Sequence, residues 1–444
     1  MIHRAPKARL SELIARHLNP RRLGAVQILT GTAAGQALAF VAAPILSRLY
    51  SPSDFGVFTV ISAIILAFAT VFALRLDFAV PLPKDPREAY SIAALAFYAI
   101  TALTVVSFGA LLAFGGSIAR ALGQPQLMPW LLVAPLCAAA MAGFMVLNQF
   151  AIRQDRFRDI GRRNILQSTV TVVSQVVIGS AGGRPGGLIL GLGLGQAAGA
   201  ASLVRGSGFD SAAAREGRQK QRLAAALRKY RRFPIILAPS GLLNTLGLQL
   251  PVVLIAYWYG SQVAGWLGLT QRVLSLPVML LGTAVAQVYL AELAKAAHGS
   301  LLHAAAMFTT TSRRLAIVGL VAAVPLLILG PRVFAFVFGS QWLPSGQYAQ
   351  ALSLTLVAQL VASPLSQTLI VFGEQVTQAA WDATRLLATT GAVGLCALTG
   401  QSALTAVWAF SATSAVTFAA SWWLSRRAIQ KARSRDVPSD PRAA

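Results

Sequence analysis

The chain has 444 residues, of which 56% are hydrophobic and only 12% charged, with a formal net charge of +24. That charged share is about half the usual value for soluble domains, which excludes a soluble globular enzyme and a disordered chain. The excess of 38 Lys+Arg over 14 Asp+Glu would suit nucleic acid, but in so apolar a chain it is better explained by basic residues gathering in cytoplasmic loops.

Residues 1–23 are polar and basic and read as a solvated or interfacial cytoplasmic helix. No cleavable signal peptide is evident, because the first apolar run is long enough to span. A spanning helix needs about 20 apolar residues. Twelve stretches are expected to span: 24–47, 55–76, 89–114, 127–150, 161–180, 187–205, 233–258, 262–290, 314–338, 349–372, 377–399 and 401–424. The one longer polar connection, 206–232, divides them six and six. The expected organisation is therefore an N-lobe at 24–205, a basic cytoplasmic linker at 206–232, a C-lobe at 233–425 and a basic cytoplasmic tail at 426–444.

With the N-terminus inside, 32 of the 38 basic residues fall on the cytoplasmic side. Only Arg48, Arg120, Arg184 and Arg332 lie outside, and Arg272 and Arg385 fall within spans. This bias places both termini in the cytoplasm and gives the charge a topological cause, which removes the nucleic-acid reading. Cys137 and Cys396 sit in apolar runs, and His3, His17, His298 and His303 are scattered without a carboxylate or thiol cluster. Neither a disulfide framework, a metal site nor a cofactor is expected.

Equal halves suggest an internal repeat. Tyr50 precedes Gly56 by the same six residues as Tyr259 precedes Gly265, and LNQFAI (147–152) matches LSQTLI (365–370). Asn164 and Gln167 then stand opposite Asp382 and Arg385. Six spans per half give both halves one orientation. The expected fold is all-α and integral to the membrane, with about twelve helices in two six-helix lobes related by a pseudo-two-fold along the membrane normal. Gly193-Leu-Gly195-Gln-Ala-Ala198 fits a dinucleotide-binding pattern by letter only, since no strand precedes it. Gly187, Gly191, Gly195 and Gly199 instead make one smooth helix face for close packing.

The stretches LSRLYSPSDFGVFTVISAI (46–64) and LRLDFAVPLPKD (74–85) resemble the polysaccharide-biosynthesis flippases. These are the O-antigen and exopolysaccharide translocase type of the multidrug/oligosaccharidyl-lipid/polysaccharide exporter superfamily. The resemblance implies a non-enzymatic transporter in the bacterial inner membrane. It would move polyprenyl-diphosphate-linked oligosaccharide units from the cytoplasmic to the periplasmic leaflet for O-antigen, capsule or exopolysaccharide assembly, by alternating access. Besides this lipid-linked glycan and membrane lipids, it implies a glycan polymerase and a chain-length regulator as partners. Lipid II flippases of the superfamily usually carry two further spans, and none is seen here.

Such a cargo needs a polar, cationic cavity closed to lipid, because burying unpaired charge in hydrocarbon is prohibitive. Guanidinium groups bind oxyanions bidentately, and charged residues within spans are functional candidates by default. Arg272, near mid-depth of its span, is the leading candidate, followed by Arg385, with Asp382 three residues before it on the same helical face. Either arginine also reads as one partner of a structural ion pair. Arg75 and Asp77 mark the end of the second span, where snorkelling is the competing reading. Arg48 either pairs with Asp54 or meets the cargo at the outer mouth. Asp382, Asp77, Glu292 and Glu374 are the carboxylates available for coupling or pairing. Gln27, Gln36, Asn164, Gln167, Asn244 and Gln249 offer hydrogen bonds to sugars, or to neighbouring helices. Two rivals stand beside this reading. A drug/cation antiporter of the same superfamily should favour cavity carboxylates over arginines. A membrane glycan polymerase or glycosyltransferase should show a large outer loop or an acidic metal–nucleotide motif, and neither is visible.

Overall fold

The computed structural model describes residues 20–206 and 211–436, which are helical throughout, without a strand among the described residues. The expected 1–23 segment and the end of the tail lie largely outside them. The helices are α1 (Pro20–Val41), α2 (Ala43–Leu49), α3 (Pro52–Phe72), α4 (Pro86–Ala121), α5 (Met128–Arg153), α6 (Phe157–Ser180), α7 (Gly186–Gly206), α8 (Ser211–Gly217) and α9 (Lys220–Lys229). They continue with α10 (Ala238–Tyr259), α11 (Ser261–Gly299), α12 (Leu301–Phe338), α13 (Leu343–Leu365), α14 (Gln367–Val371), α15 (Gln375–Leu398) and α16 (Ala403–Asp436).

Every expected span coincides with helix. Ten of them are long and apolar enough to cross a membrane, which makes this a multi-pass membrane protein. The two that fall short by composition are α6 and α15, and both carry arginine inside the helix. Proline sets several boundaries by lacking an N–H donor. Pro44 separates α1 from α2, and Pro364 ends α13 before the short α14. Pro234 lies in the π-helical turn Phe233–Leu237 that leads into α10.

The helices pack as two compact units. The first comprises described residues 20–42, 65–115, 129–206 and 211–241. Two of its helix crossings are built on glycine, beside an apolar cluster of Leu147, Ala151, Ile160 and Leu203. α1 crosses α6 where Gly31 meets Gly161, and a Cβ at Gly31 would stand 2.7 Å from the Gly161 carbonyl carbon. α7 lies on α6 through the expected glycine face: Gly191 abuts Gln175, Gly195 abuts Thr171, and Gly199 abuts Gln167 and Arg163.

The second unit comprises residues 43–64, 116–128 and 242–436. Its contents therefore do not follow chain order, because 43–64 and 116–128 pack with the C-terminal half. Two contacts account for this. Trp342, fully buried, donates Nε1–H to the Ser47 carbonyl at 2.9 Å and stands edge-on to Phe55 at 5.0 Å. α3 also crosses α11 where Gly56 and Gly265 meet. A Cβ on Gly265 would lie 2.9 Å from the Gly56 nitrogen, one on Gly56 would lie 2.5 Å from the Ser261 carbonyl carbon, and Ser53 Oγ stands 2.9 Å from Ser261 Oγ. Gly56 and Gly265 are the positions that the Tyr50–Gly56 and Tyr259–Gly265 spacing makes equivalent.

Candidate functional site

Within the second unit, α10, α11, α13, α15 and α16 enclose a cavity of about 380 Å³. That volume is in the range of ligand pockets. Its polar lining comes from Gln271, Thr355, Gln359, Arg385, Thr389 and Ser414, and Leu274, Leu356, Phe410 and Phe418 supply apolar wall. Thr355 is turned toward Ser411, whose carbonyl and hydroxyl lie at 3.0 and 2.9 Å. The two glutamine side chains have no hydrogen-bond partner among the described residues.

Arg385 is the one charge in this wall. It is 7% exposed. One turn on in α15, Thr389 Oγ1 donates to the Arg385 backbone carbonyl at 2.7 Å. The guanidinium carbon stands 5.0 Å from the Trp381 ring centroid and 5.9 Å from that of Phe418, and Trp381 is fixed by donating Nε1–H to the Thr417 carbonyl at 2.6 Å. Gly247 faces it across the cavity wall, where a Cβ would stand at ordinary contact distance, 3.6 Å from Arg385 Nη2. The expected partner, Asp382, is present, but the contact is a single Nη2–Oδ1 approach of 3.5 Å. Asp382 is itself 31% exposed at the side chain, and Arg385 Nε is buried without a partner. A guanidinium binds a carboxylate best through two parallel bonds of about 2.8 Å. This pair uses one long one, so most of the binding capacity of Arg385 is uncommitted.

Arg272 is half-buried one residue after Gln271. Consecutive residues on a helix point about 100° apart, so Gln271 lines this cavity and Arg272 does not. The Arg272 side chain has no hydrogen bond or ion pair among the described residues. Arg75 lies in the turn between α3 and α4, where it and Leu74 adopt left-handed backbone at φ 54° and 51°, a conformation held only where the surroundings over-determine it. Its guanidinium packs on Gly241, where a Cβ would lie 2.5 Å from Nε, and over Phe78. Asp77 beside it is 4% exposed, and burial holds its carboxyl above the usual carboxylate range against the pull of Arg75. Arg48 is exposed and reaches the Val337 carbonyl at 3.5 Å. Asp54 instead accepts the Ser51 N–H and hydroxyl at 2.9 and 2.7 Å.

Among the remaining carboxylates, Glu374 pairs with Lys431 at 2.6 Å and accepts from Thr377, while Glu292 is exposed. Asn244 is exposed, and Gln249, Gln27 and Gln36 are half-buried. None of these four lines the cavity.

The first unit holds an arginine that the topology count placed with the cytoplasmic basic residues. Arg163, in α6, is 5% exposed, and its Nε and Nη1 are buried without partners. Its Nη2 donates to the Asn164 carboxamide oxygen, and Asn164 Nδ2 donates to Thr32 Oγ1 at 2.8 Å. The guanidinium stacks 3.9 Å from the Phe144 ring centroid, and Gly199 and Gln167 close the site. No ion pair reaches Arg163 among the described residues. Asn164 and Gln167, two expected sugar contacts, thus meet at this arginine. By the expected repeat α6 would correspond to α15, and each of these helices carries a buried arginine, Arg163 and Arg385. Its position three residues inside the expected 161–180 span was the available signal.

The polysaccharide biosynthesis protein family matches residues 45–347. The succinoglycan biosynthesis transport protein ExoT of Rhizobium meliloti (strain 1021) is 25% identical over 409 residues, covering 88% of this chain and 77% of that protein. Among solved structures, the lipid II flippase MurJ in an inward closed conformation superposes with a TM-score of 0.69 at 11% identity, over 94% of each chain. An inward-facing multidrug resistance MATE family transporter of the MOP superfamily gives 0.66 at 15%, over 93% of this chain and 96% of the other. At these identities the structural likenesses establish the fold.

Proposed function

We propose that this chain, which belongs to the polysaccharide biosynthesis protein family, is a flippase of the inner membrane that carries polyprenyl-diphosphate-linked oligosaccharide units from the cytoplasmic to the periplasmic leaflet. The observation that carries this reading is Arg385. It is a buried cation on the wall of a cavity lined by amides and hydroxyls, and it is tied to its own carboxylate by one long contact. A diphosphate needs guanidinium donors that stay charged and are free to bond in pairs. A glycan needs amide and hydroxyl partners such as Gln271 and Gln359. Arg163 in the first unit and Arg272 in α11, each outside that cavity, are two further arginines without an ion pair among the described residues. The protein acts by binding and release, with no bond made or broken. The ExoT relative, by its name a transport protein in succinoglycan biosynthesis, supports an exopolysaccharide cargo. The distribution of basic residues supports a cytoplasmic position for both termini and the linker.

The test is deletion of the gene, followed by analysis of lipid-linked glycans and surface polymer. The reading requires surface polymer to vanish while finished repeat units accumulate on the cytoplasmic leaflet. Normal polymer with altered drug sensitivity alone would transfer the chain to the drug/cation antiporters. Repeat units that never form, or that reach the outer leaflet unpolymerised, would point to an enzyme.

A further inference from the structure

The basic linker is fastened to the foot of α4. Arg87 Nε pairs with Glu216 at 2.9 Å, Arg222 with Asp85 at 3.7 Å and Lys229 with Glu88 at 2.6 Å. Ser91 Oγ donates to the Gly217 carbonyl at 2.8 Å, and Gly217 is glycine because a Cβ there would lie 2.8 Å from the Arg87 carbonyl oxygen. These contacts neutralise Arg222 and Lys229. They leave Arg215, Arg218, Lys220, Arg228 and Arg231 exposed, with no ion pair among the described residues.

Where α8 meets α4 there is a pocket of about 310 Å³. Its floor is one stripe of α4, formed by Tyr90, Ala93, Ala94, Phe97 and Tyr98, and its rim carries Arg218. The stripe continues outward along the helix through Tyr98, Val105 and Leu112, seven residues apart and 55%, 66% and 58% exposed. α4 is apolar enough to cross a membrane, and an exposed apolar stripe of this kind suits contact with lipid tails. The pocket therefore has a cation, Arg218, at one end and an apolar floor that continues into the exposed stripe.

We propose that this pocket binds one anionic phospholipid, with its phosphate against Arg218 and an acyl chain along Ala93, Ala94, Phe97 and Tyr98. The occupant is a bilayer phospholipid rather than the lipid-linked cargo, because the pocket continues into the exposed apolar stripe and its lining carries no amide side chain, the only hydroxyls being the phenols of Tyr90 and Tyr98. A headgroup with net negative charge fits, because Arg218 on the rim has no ion pair among the described residues and belongs to a basic linker. The lipid adds a further tie between linker and α4 beside the three ion pairs.

The experiment uses the purified full-length chain in phosphatidylcholine nanodiscs, with phosphatidylglycerol added and retained lipids counted by native mass spectrometry. One phosphatidylglycerol should be held in preference to phosphatidylcholine. Arg218→Gln should weaken its retention about fivefold, and Arg218→Lys should restore most of it. Ala94→Trp, which fills the pocket and leaves every charge in place, should abolish retention. Tyr98→Ala, which strips apolar floor without adding bulk to α4, should weaken it as well. Equal retention of phosphatidylcholine, or retention unchanged by both Arg218→Gln and Ala94→Trp, overturns the proposal. Displacement of the retained lipid by an equimolar polyprenyl phosphate also overturns it, by giving the pocket to the cargo lipid. None of these outcomes bears on Arg385, so the flippase reading stands or falls separately.

Discussion

The crossing of α3 and α11 gives a sharp prediction, because it is made of backbone. A methyl group added by Gly265→Ala overlaps the Pro52 carbonyl oxygen, and its carbon lies 2.7 Å from the Pro52 carbonyl carbon and 2.9 Å from the Gly56 nitrogen. Ordinary carbon contacts lie at about 3.5–4.0 Å, so the two helices must part by about 1 Å. No rotamer change can relieve the clash. Overpacking costs about 1–3 kcal/mol, and a rigid neighbour puts this case at the upper end, roughly a 30- to 150-fold loss in the population of the closed crossing. The reporter is the pair Ser53→Cys and Ser261→Cys, built at positions whose hydroxyl oxygens are 2.9 Å apart. On the otherwise native chain it should cross-link readily on mild oxidation and stop transport until reduced. Adding Gly265→Ala should slow cross-linking at least tenfold while the helix content by circular dichroism stays constant. Adding Gly56→Ala should do the same, because it is the equivalent half of the contact. An unchanged cross-linking rate in both would refute the backbone-contact reasoning.

Three further outcomes follow from the site. Arg385→Gln should cut transport at least tenfold and Arg385→Lys should recover only part of it, since lysine cannot bond bidentately; Asp382→Asn should leave transport within about threefold, because its contact is a single long one. Isolated-vesicle flipping of a fluorescent polyprenyl-diphosphate glycan measures all three, and an Asp382→Asn loss equal to that of Arg385→Gln would make the pair structural. Arg163→Met should leave the melting temperature equal or higher, because it removes a buried charge without an ion-pair partner, yet lower the same flipping rate; normal flipping would reduce Arg163 to packing. Asp77 has a pH signature. Its carboxyl pKa is raised above 3.8 by burial, so folding takes up a proton there. Its contribution to stability is complete below the ordinary carboxylate value and is lost as pH rises through the raised one. Asp77→Asn should flatten that part of the melting-temperature profile, and parallel profiles for the two proteins would contradict the assignment.

The number and place of the helices were legible because apolar runs of membrane length are a strong local signal. The face made by Gly191, Gly195 and Gly199 was legible for the same reason, since a four-residue spacing is geometry written into the chain. Arg163 was counted with the cytoplasmic basic residues, at the very start of the expected 161–180 span, because the apolar run starts late. The helix begins at Phe157, so Arg163 already sits nearly two turns inside it. At the cavity, composition singles out Arg272 as the deepest charge, but a 100° rotation per residue turns its neighbour Gln271 inward instead. Gln271, Thr389 and Ser414 carried no signal of their own, because hydroxyls and amides in apolar helices serve packing equally well. The grouping of 43–64 with the C-terminal half was not legible at all. It depends on Trp342 finding the Ser47 carbonyl, a pairing across 295 positions that no local pattern encodes.

The shortage of hydropathy in α6 and α15 bears on how the chain is assembled. On insertion scales an arginine at a helix centre costs about 2.5–3.5 kcal/mol. Neither helix therefore has a strong claim to enter lipid alone as it leaves the ribosome. Each is followed at once by a helix that does: α7 and α16 both meet the criterion for crossing a membrane, and each packs directly on its predecessor. Biogenesis of each half then ends with a hairpin, in which the later, greasier helix draws its charged partner into the bilayer. The arginines reach their buried positions only once the α6–α7 and α15–α16 pairs are complete.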